Sequence, residues 1–149
     1  MSESFRVNCF PVAQPRQRIR SFVANGKACA QNYTPTKSPV NVFKAALQSE
    51  AAKHFTRPLN CPVCIHLHFI LPRPQSMTRK RGDNPRVRHT KKPDLENIIK
   101  AALDALTGIA FVDDSRVCSM IASKWIAAAD ETPHVDVHIF ETSDLPIGA

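Results

Sequence analysis

Residues 94–106 admit one secondary structure, and it constrains everything around them. Leu95, Ile98, Ile99, Ala102, Leu103 and Leu106 recur at i, i+3, i+4, i+7, i+8 and i+11. That spacing lays apolar side chains along one face of an α-helix. Asp94 is a good N-cap, Pro93 keeps Lys92 extended, and Gly108 supplies left-handed geometry after the last turn. A helix with one apolar stripe has to bury it against a second layer. That layer is legible upstream, where Val63, Ile65, Leu67, Phe69 and Leu71 alternate along Val63–Leu71. Period two is the pattern of a strand with one face in the core.

The remaining elements follow from the same two periods. Residues 5–10 alternate and read as a first strand, stopped by Pro11. Asn25-Gly26, between residues 19–24 and Lys27–Tyr33, marks a loop or an irregular hairpin. Val40, Phe43, Leu47, Ala51 and Phe55 share one helical face over residues 40–55, with Ser38 as N-cap and Pro39 at the first helical position. After the helix at 94–106 come a short apolar stretch at 109–112, the acidic turn Asp113-Asp114-Ser115, a strand at 117–125 and a last strand at 135–140. Strands interleaved with two main helices predict a single α/β (α+β) domain over residues 1–149 with a mixed β-sheet. A length of 149 residues with 43% hydrophobic content is enough for one core and excludes disorder throughout.

Charge is distributed unevenly. The chain carries a formal net charge of +7. Arg73, Arg79, Lys80, Arg81, Arg86, Arg88, Lys91 and Lys92 fall within residues 73–92 against the single acid Asp83, so this segment accounts for the whole excess. Pro74, Gly82 and Pro85 interrupt it and no apolar period runs through it, which predicts a mobile basic loop. Concentrated positive charge attracts a polyanion, and the eight residues are candidate DNA contacts. No apolar run approaches the ~20 residues of a membrane span. Residues 1–6 lack the regions of a signal peptide, and the cysteines number five, an odd count. Reduced thiols in a cytoplasmic protein without a membrane partner are the expectation.

The polar face of the helix at 94–106 carries the candidate chemistry. Asp94 and Glu96 lie in its first turn, Lys100 one turn later, and Asp113 and Asp114 sit in the turn before the next strand. A helix–turn–strand unit can fold that turn back toward the helix. Three hard oxygen donors converging there would suit Mg²⁺. Such an ion stabilises charge at a phosphate and activates a water nucleophile, while Lys100 could neutralise phosphate charge. Each residue also has an ordinary structural role available: Asp94 as a cap, Glu96 as a charge complementing the helix N-terminus, Asp113-Asp114-Ser115 as a turn. On the residues alone both readings stay open.

At these residues the chain resembles the RusA family of crossover-junction endodeoxyribonucleases. The family pattern is Lys-Pro-Asp-x-Asp-Asn, a helix with Lys and Asp-Ala-Leu, then Asp-Asp-x-Gln-Val before a strand. Here it reads Lys92-Pro93-Asp94-Leu95-Glu96-Asn97, Lys100, Asp104-Ala105-Leu106 and Asp113-Asp114-Ser115-Arg116-Val117. Pro15-Arg16-Gln17-Arg18 and Tyr33-Thr34-Pro35 also look like the family. The resemblance implies a homodimeric nuclease that resolves Holliday junctions, four-way branched DNA, by paired symmetric nicks. It implies Mg²⁺, with Mn²⁺ as a substitute. Carried over residue by residue, the metal ligands are Asp94, Glu96 and Asp114 and the catalytic lysine is Lys100. Glu96 stands where the family usually has Asp, and Arg116 where Gln is frequent. The rival readings are a nuclease acting on flaps or other branched DNA, and a branched-DNA-binding protein with weak or lost catalysis.

A weaker candidate is a zinc site at Cys61, Cys64, His66 and His68. The last three share one strand face, but Cys61 precedes Pro62 and no second ligand pair follows at a fixed spacing. Trp125 is expected in the core or a dimer interface, and His89 is expected to add to the basic loop.

Overall fold

A computed structural model describes residues 1–15, 18–33 and 38–142. Arg16, Gln17, Thr34 and Pro35, part of the N-terminal family pattern, lie outside the described residues. In chain order the elements are β1 (Ser2–Asn8), β2 (Arg18–Ala24), β3 (Lys27–Tyr33), α1 (Pro39–Ala51), β4 (Val63–Leu71), β5 (Val87–Arg88), α2 (Leu95–Leu106), β6 (Val117–Ile126) and β7 (His134–Glu141). The main sheet runs β1-β7-β4-β6-β5. β4 pairs parallel with β6, and every other pairing in the sheet is antiparallel. This is the mixed sheet with two helices that the sequence predicts.

β4 is the middle strand, and its alternation is what centres the fold. Val63, Ile65, Leu67 and Phe69 are fully buried. Both helices pack on one side: α1 contributes Val40, Phe43, Leu47 and Ala51, and α2 contributes Ile98, Ala101, Ala102, Ala105 and Leu106. The buried arc of α2 is centred on its alanines, with Leu95, Ile99 and Leu103 half-buried at its edges. Small side chains there let the helix lie close to its neighbours, α1 and β6. No described helix is long and apolar enough to cross a membrane.

Several local expectations are corrected. The first strand is Ser2–Asn8 because its partner β7 pairs with it from Ser2↔Phe140 to Asn8↔His134. Helix α1 ends at Ala51, and Phe55 reaches the core from the turn that follows. Asn25 (φ 52°) and Gly26 (φ 73°) both adopt left-handed geometry, the requirement of a two-residue turn between twisted strands, so β2 and β3 form a regular hairpin. The basic segment contains structure: a short 3-10 turn at Gln75–Met77 and β5, which adds to the edge of the sheet through Val87↔Ile126 and Arg88↔Trp125.

Candidate active site

The entry to α2 is anchored from the sheet. Lys124 on β6 donates through Nζ to the backbone carbonyls of Lys91 (2.5 Å) and Pro93 (2.7 Å), and the Lys92–Pro93 peptide bond is cis. Asp94 occupies the N-cap position with an extended backbone, its carbonyl accepting from the N–H groups of Asn97 (3.1 Å) and Ile98 (3.3 Å). Its carboxylate makes no capping hydrogen bond. The expected side-chain cap is therefore absent, because the backbone starts the helix unaided. Exposed Asp94 and Glu96 carry carboxylates without hydrogen-bond or ion-pair partners among the described residues.

The far end of α2 meets the acidic turn. Lys100, Leu103, Asp104, Asp113 and Asp114 line one cavity of about 570 Å³, together with Gln14 and with Lys44 of α1. Lys100, Leu103 and Thr107 in this lining follow Glu96 at i+4, i+7 and i+11. Glu96 is thus on the same helix stripe, one turn or ~6 Å beyond Lys100. The cavity is thus a groove that holds Asp114 and Lys100, while Glu96 lies one turn outside it on the same stripe and Asp94 sits at the helix N-cap beyond.

Two of the acids in this groove are already engaged. Asp104 pairs with Lys44 at 2.5 Å. Asp113 accepts from Ser115 Oγ (2.7 Å) and from the Asp114 N–H (3.0 Å). The Ser115 hydroxyl, with the backbone N–H groups and side chain of the turn, holds its carboxyl below the usual aspartate range against the opposing effect of burial. Asp114 has no ion-pair partner among the described residues, although its side chain also meets that of Asp113. Hydrogen bonding thus divides the acids of this region into a structural pair, Asp104 and Asp113, and an uncommitted set, Asp94, Glu96 and Asp114.

The uncommitted set is not gathered into a closed cluster: among the described residues no three His, Cys, Asp or Glu side chains are placed to hold a metal ion between them. The expected convergence of three carboxylates is not met within this chain, because two of them lie at one end of α2 and the third is on the turn beyond its other end. Mg²⁺ does not require a closed protein cage; it is commonly held by one or two carboxylates together with substrate phosphates and waters. The hard oxygen donors here fit that mode. Gln14 also lines the cavity, with its side-chain carbonyl oxygen buried away from solvent and unpartnered. Its backbone N–H donates to the Asn97 carbonyl at 2.9 Å, which holds it against α2. Sequence patterns give no hint of Gln14, Lys44 or Lys124, whose roles depend on distant contacts.

The eight basic candidates also divide. Arg73 donates to the carbonyls of Pro85 (2.9 Å), Met77 (3.1 Å) and Ala127 (3.3 Å), so it clamps the loop. Arg86 makes two hydrogen bonds to Glu131. Arg88 stacks on Trp125, with its guanidinium carbon 4.0 Å from the ring centroid. The side chains of Arg79, Lys80, Arg81, Lys91 and Lys92 are exposed and unpaired among the described residues. Trp125 is half-buried under Arg88 at the sheet edge. His89 does not add charge: burial, then the nearby Lys124, pushes its pKa below the usual histidine range.

Cys64, His66 and His68 do share a face of β4, but their partners are not one another. His66 packs edge-on against His138, ring centroids 5.5 Å apart, and against Phe140 at 5.4 Å. His68 Nδ1 lies 2.5 Å from Ser123 Oγ. No zinc-type cluster forms among the described residues.

Comparison with known proteins bears on the same groove. The family described as Endodeoxyribonuclease RusA matches residues 9–140, which takes in both ends of α2, the acidic turn and the basic segment. The chain is also 33% identical over 147 residues to the uncharacterized protein YqaN of Bacillus subtilis (strain 168), an alignment covering 93% of this chain and 96% of that protein.

Proposed function

The chain belongs to the RusA family of endodeoxyribonucleases, and we propose on that footing that it is a Mg²⁺-dependent nuclease that resolves four-way DNA junctions by paired symmetric nicks. The observation that carries the reading is the set of uncommitted carboxylates. Asp94, Glu96 and Asp114 have no cationic partner among the described residues, although Asp104 is paired with Lys44 and Asp113 is hydrogen-bonded within its turn. Carboxylates without a cation along one side of α2 are suited to one.

Asp94, Glu96 and Asp114 would each offer a carboxylate to Mg²⁺, or to Mn²⁺ as a substitute, at their own end of α2, with substrate phosphates and waters completing the coordination. Mg²⁺, when bound, supplies Lewis-acid stabilisation of the charge that develops on the scissile phosphate. Lys100, in the groove and without an ion-pair partner among the described residues, offers its ammonium to a phosphate oxygen and compensates charge in the transition state. The exposed cations Arg79, Lys80, Arg81, Lys91 and Lys92 track phosphates, a positioning role that carries no base information. A homodimer with two-fold symmetry would set two such grooves on opposing strands of the junction, acting on DNA in the cytoplasm.

The test compares cleavage of a four-way junction, a flap and a linear duplex of matched sequence in Mg²⁺. Preferential, symmetric nicking of the junction supports the reading. Preference for flaps transfers the same chemistry to another branched substrate. Tight junction binding with no nicking in Mg²⁺ or Mn²⁺ makes the protein a binder, with Glu96 as the degenerate position.

A further inference from the structure

A second concave site lies just before Asp94 and is unlike the acidic groove. It is a cleft of about 360 Å³ between the 3-10 turn at Gln75–Met77 and the connection from β5 to α2, lined by Met77, Arg88, His89, Lys91, Lys92 and Ile126 among others. Its apolar lining includes Met77 and the buried Ile126. Its cations are Arg88, Lys91 and Lys92.

Phosphate binding alone needs charge and would be served by the exposed arginines of the loop. An apolar lining beside cations calls for a ligand with a flat apolar face next to an anion, which describes one nucleotide. The Arg88 guanidinium is held over Trp125, 4.0 Å from the ring centroid, and a planar guanidinium is a surface of the kind on which bases stack. Met77 adds a polarisable side chain suited to an aromatic face.

His89 supplies a directional group. Its Nδ1 accepts from the Lys91 backbone N–H at 3.3 Å. Burial and then the nearby Lys124 push its pKa below the usual histidine range, with the Lys91 backbone opposing, which favours the neutral ring. The single ring proton is therefore on Nε2, a donor for a base edge. Lys124 ties the carbonyls of Lys91 and Pro93 to the sheet, so the wall of the cleft is continuous with the residue preceding Asp94. Lys92 and Asp94 are two residues apart, at most ~7 Å of chain.

We propose that this cleft receives a single unstacked nucleobase of branched DNA adjacent to the scissile phosphate, with His89 reading its edge and Lys91 and Lys92 on its flanking phosphates. The proposal rests on the nuclease reading for its placement next to the cut. Bases in an intact duplex are stacked and paired, and extracting one is costly. A base at a branch point costs less to unstack, so the cleft contributes both preference for branched DNA and base preference at the cut.

The experiment is an abasic scan. Four-way junctions carrying one abasic nucleotide at each position around the crossover compete for binding to the full-length protein in EDTA, where nicking plays no part. Wild type is expected to lose roughly tenfold in affinity at one symmetric position, the scale of removing one stacked base. Met77→Ala, at a solvent-accessible position, and separately His89→Ala should bind the intact junction more weakly and lose most of that positional difference. Equal affinity at every abasic position, meaning backbone contact only, overturns the proposal, as does failure to bind the junction. Loss of nicking in Mg²⁺ with the abasic effect intact would instead overturn the nuclease reading and leave the base site standing.

Discussion

The carboxylate of Asp113 accepts a hydrogen bond from the backbone N–H of Asp114 at 3.0 Å, and a second from Ser115 Oγ at 2.7 Å. One aspartate of the pair thus builds the turn that presents the other. Asp113 commits its lone pairs to the turn, and Asp114, which lines the groove, has no cationic partner among the described residues.

Different phenotypes follow for neighbouring residues. Asp114→Asn should abolish nicking and leave the melting temperature unchanged. Asp113→Ala should lower the melting temperature and reduce nicking only partly, through a looser turn. Paired melting curves and single-turnover nicking rates on a four-way junction distinguish the two.

Asp94 offers a parallel test. A side-chain N-cap typically contributes ~1 kcal/mol, but the Asp94 carboxylate makes no capping bond. Asp94→Ala should therefore cost clearly less than ~1 kcal/mol in chemical denaturation. Asp94→Asn should remove cleavage while junction binding holds or tightens, because a charge that repels phosphate is gone. A full capping loss of stability with normal cleavage would return Asp94 to a structural role.

How much of this was legible in the sequence depends on the range of the contacts. The Asn25-Gly26 turn, the alternation of Val63–Leu71 and the apolar stripe of α2 are local patterns, and each forms the element it predicts. β5 has only two residues and exists because β6 offers an edge, so no local pattern announces it. The bounds of β1 come from β7 in the same way. At the site, residue types point to Asp94, Glu96, Asp114 and Lys100. Which acids are engaged is illegible, because Lys44 reaches Asp104 from 60 positions away. Equally hidden is the division of the basic run, since Arg73 and Arg86 are occupied by Ala127 and Glu131 from distant parts of the chain.

That division predicts two classes of loop variant. Replacing Arg79, Lys80 and Arg81 by Ala should weaken DNA binding evenly across sequences and reduce the salt slope by ~0.9 for each phosphate no longer neutralised. Arg73→Ala should act through stability, costing about 2 kcal/mol from hydrogen bonds made by a charged donor. Binding isotherms over a salt series, alongside denaturation curves, check both.

The Arg86–Glu131 pair sets an acid limit on the anchor of the same loop. Hydrogen bonds from Arg86 hold the Glu131 carboxyl below the usual glutamate range against the opposing effect of burial. A folded-state pKa below the unfolded value of ~4.3 contributes stability above that value and loses it as pH falls through the folded one. Glu131→Gln should therefore be less stable than wild type at pH 7, by less than about 1 kcal/mol because the pair is open to solvent. The gap should close as the pH drops below ~4.3. Thermal melts of both proteins across that range measure it, and a gap that widens on acidification would reverse the sign.

The account depends most on Glu96, the longer side chain on the groove stripe of α2. The decisive measurement is the nicking rate on a synthetic four-way junction for wild type, Glu96→Asp and Glu96→Gln, each in Mg²⁺, Mn²⁺ and EDTA, on proteins of verified oligomeric state. Wild type and Glu96→Asp should make paired symmetric nicks with either metal, with an altered Mg²⁺ to Mn²⁺ preference in the variant, and none in EDTA. Glu96→Gln should be inactive with both metals. Undiminished nicking in EDTA, or equal wild-type rates for the Asp and Gln variants, would contradict it.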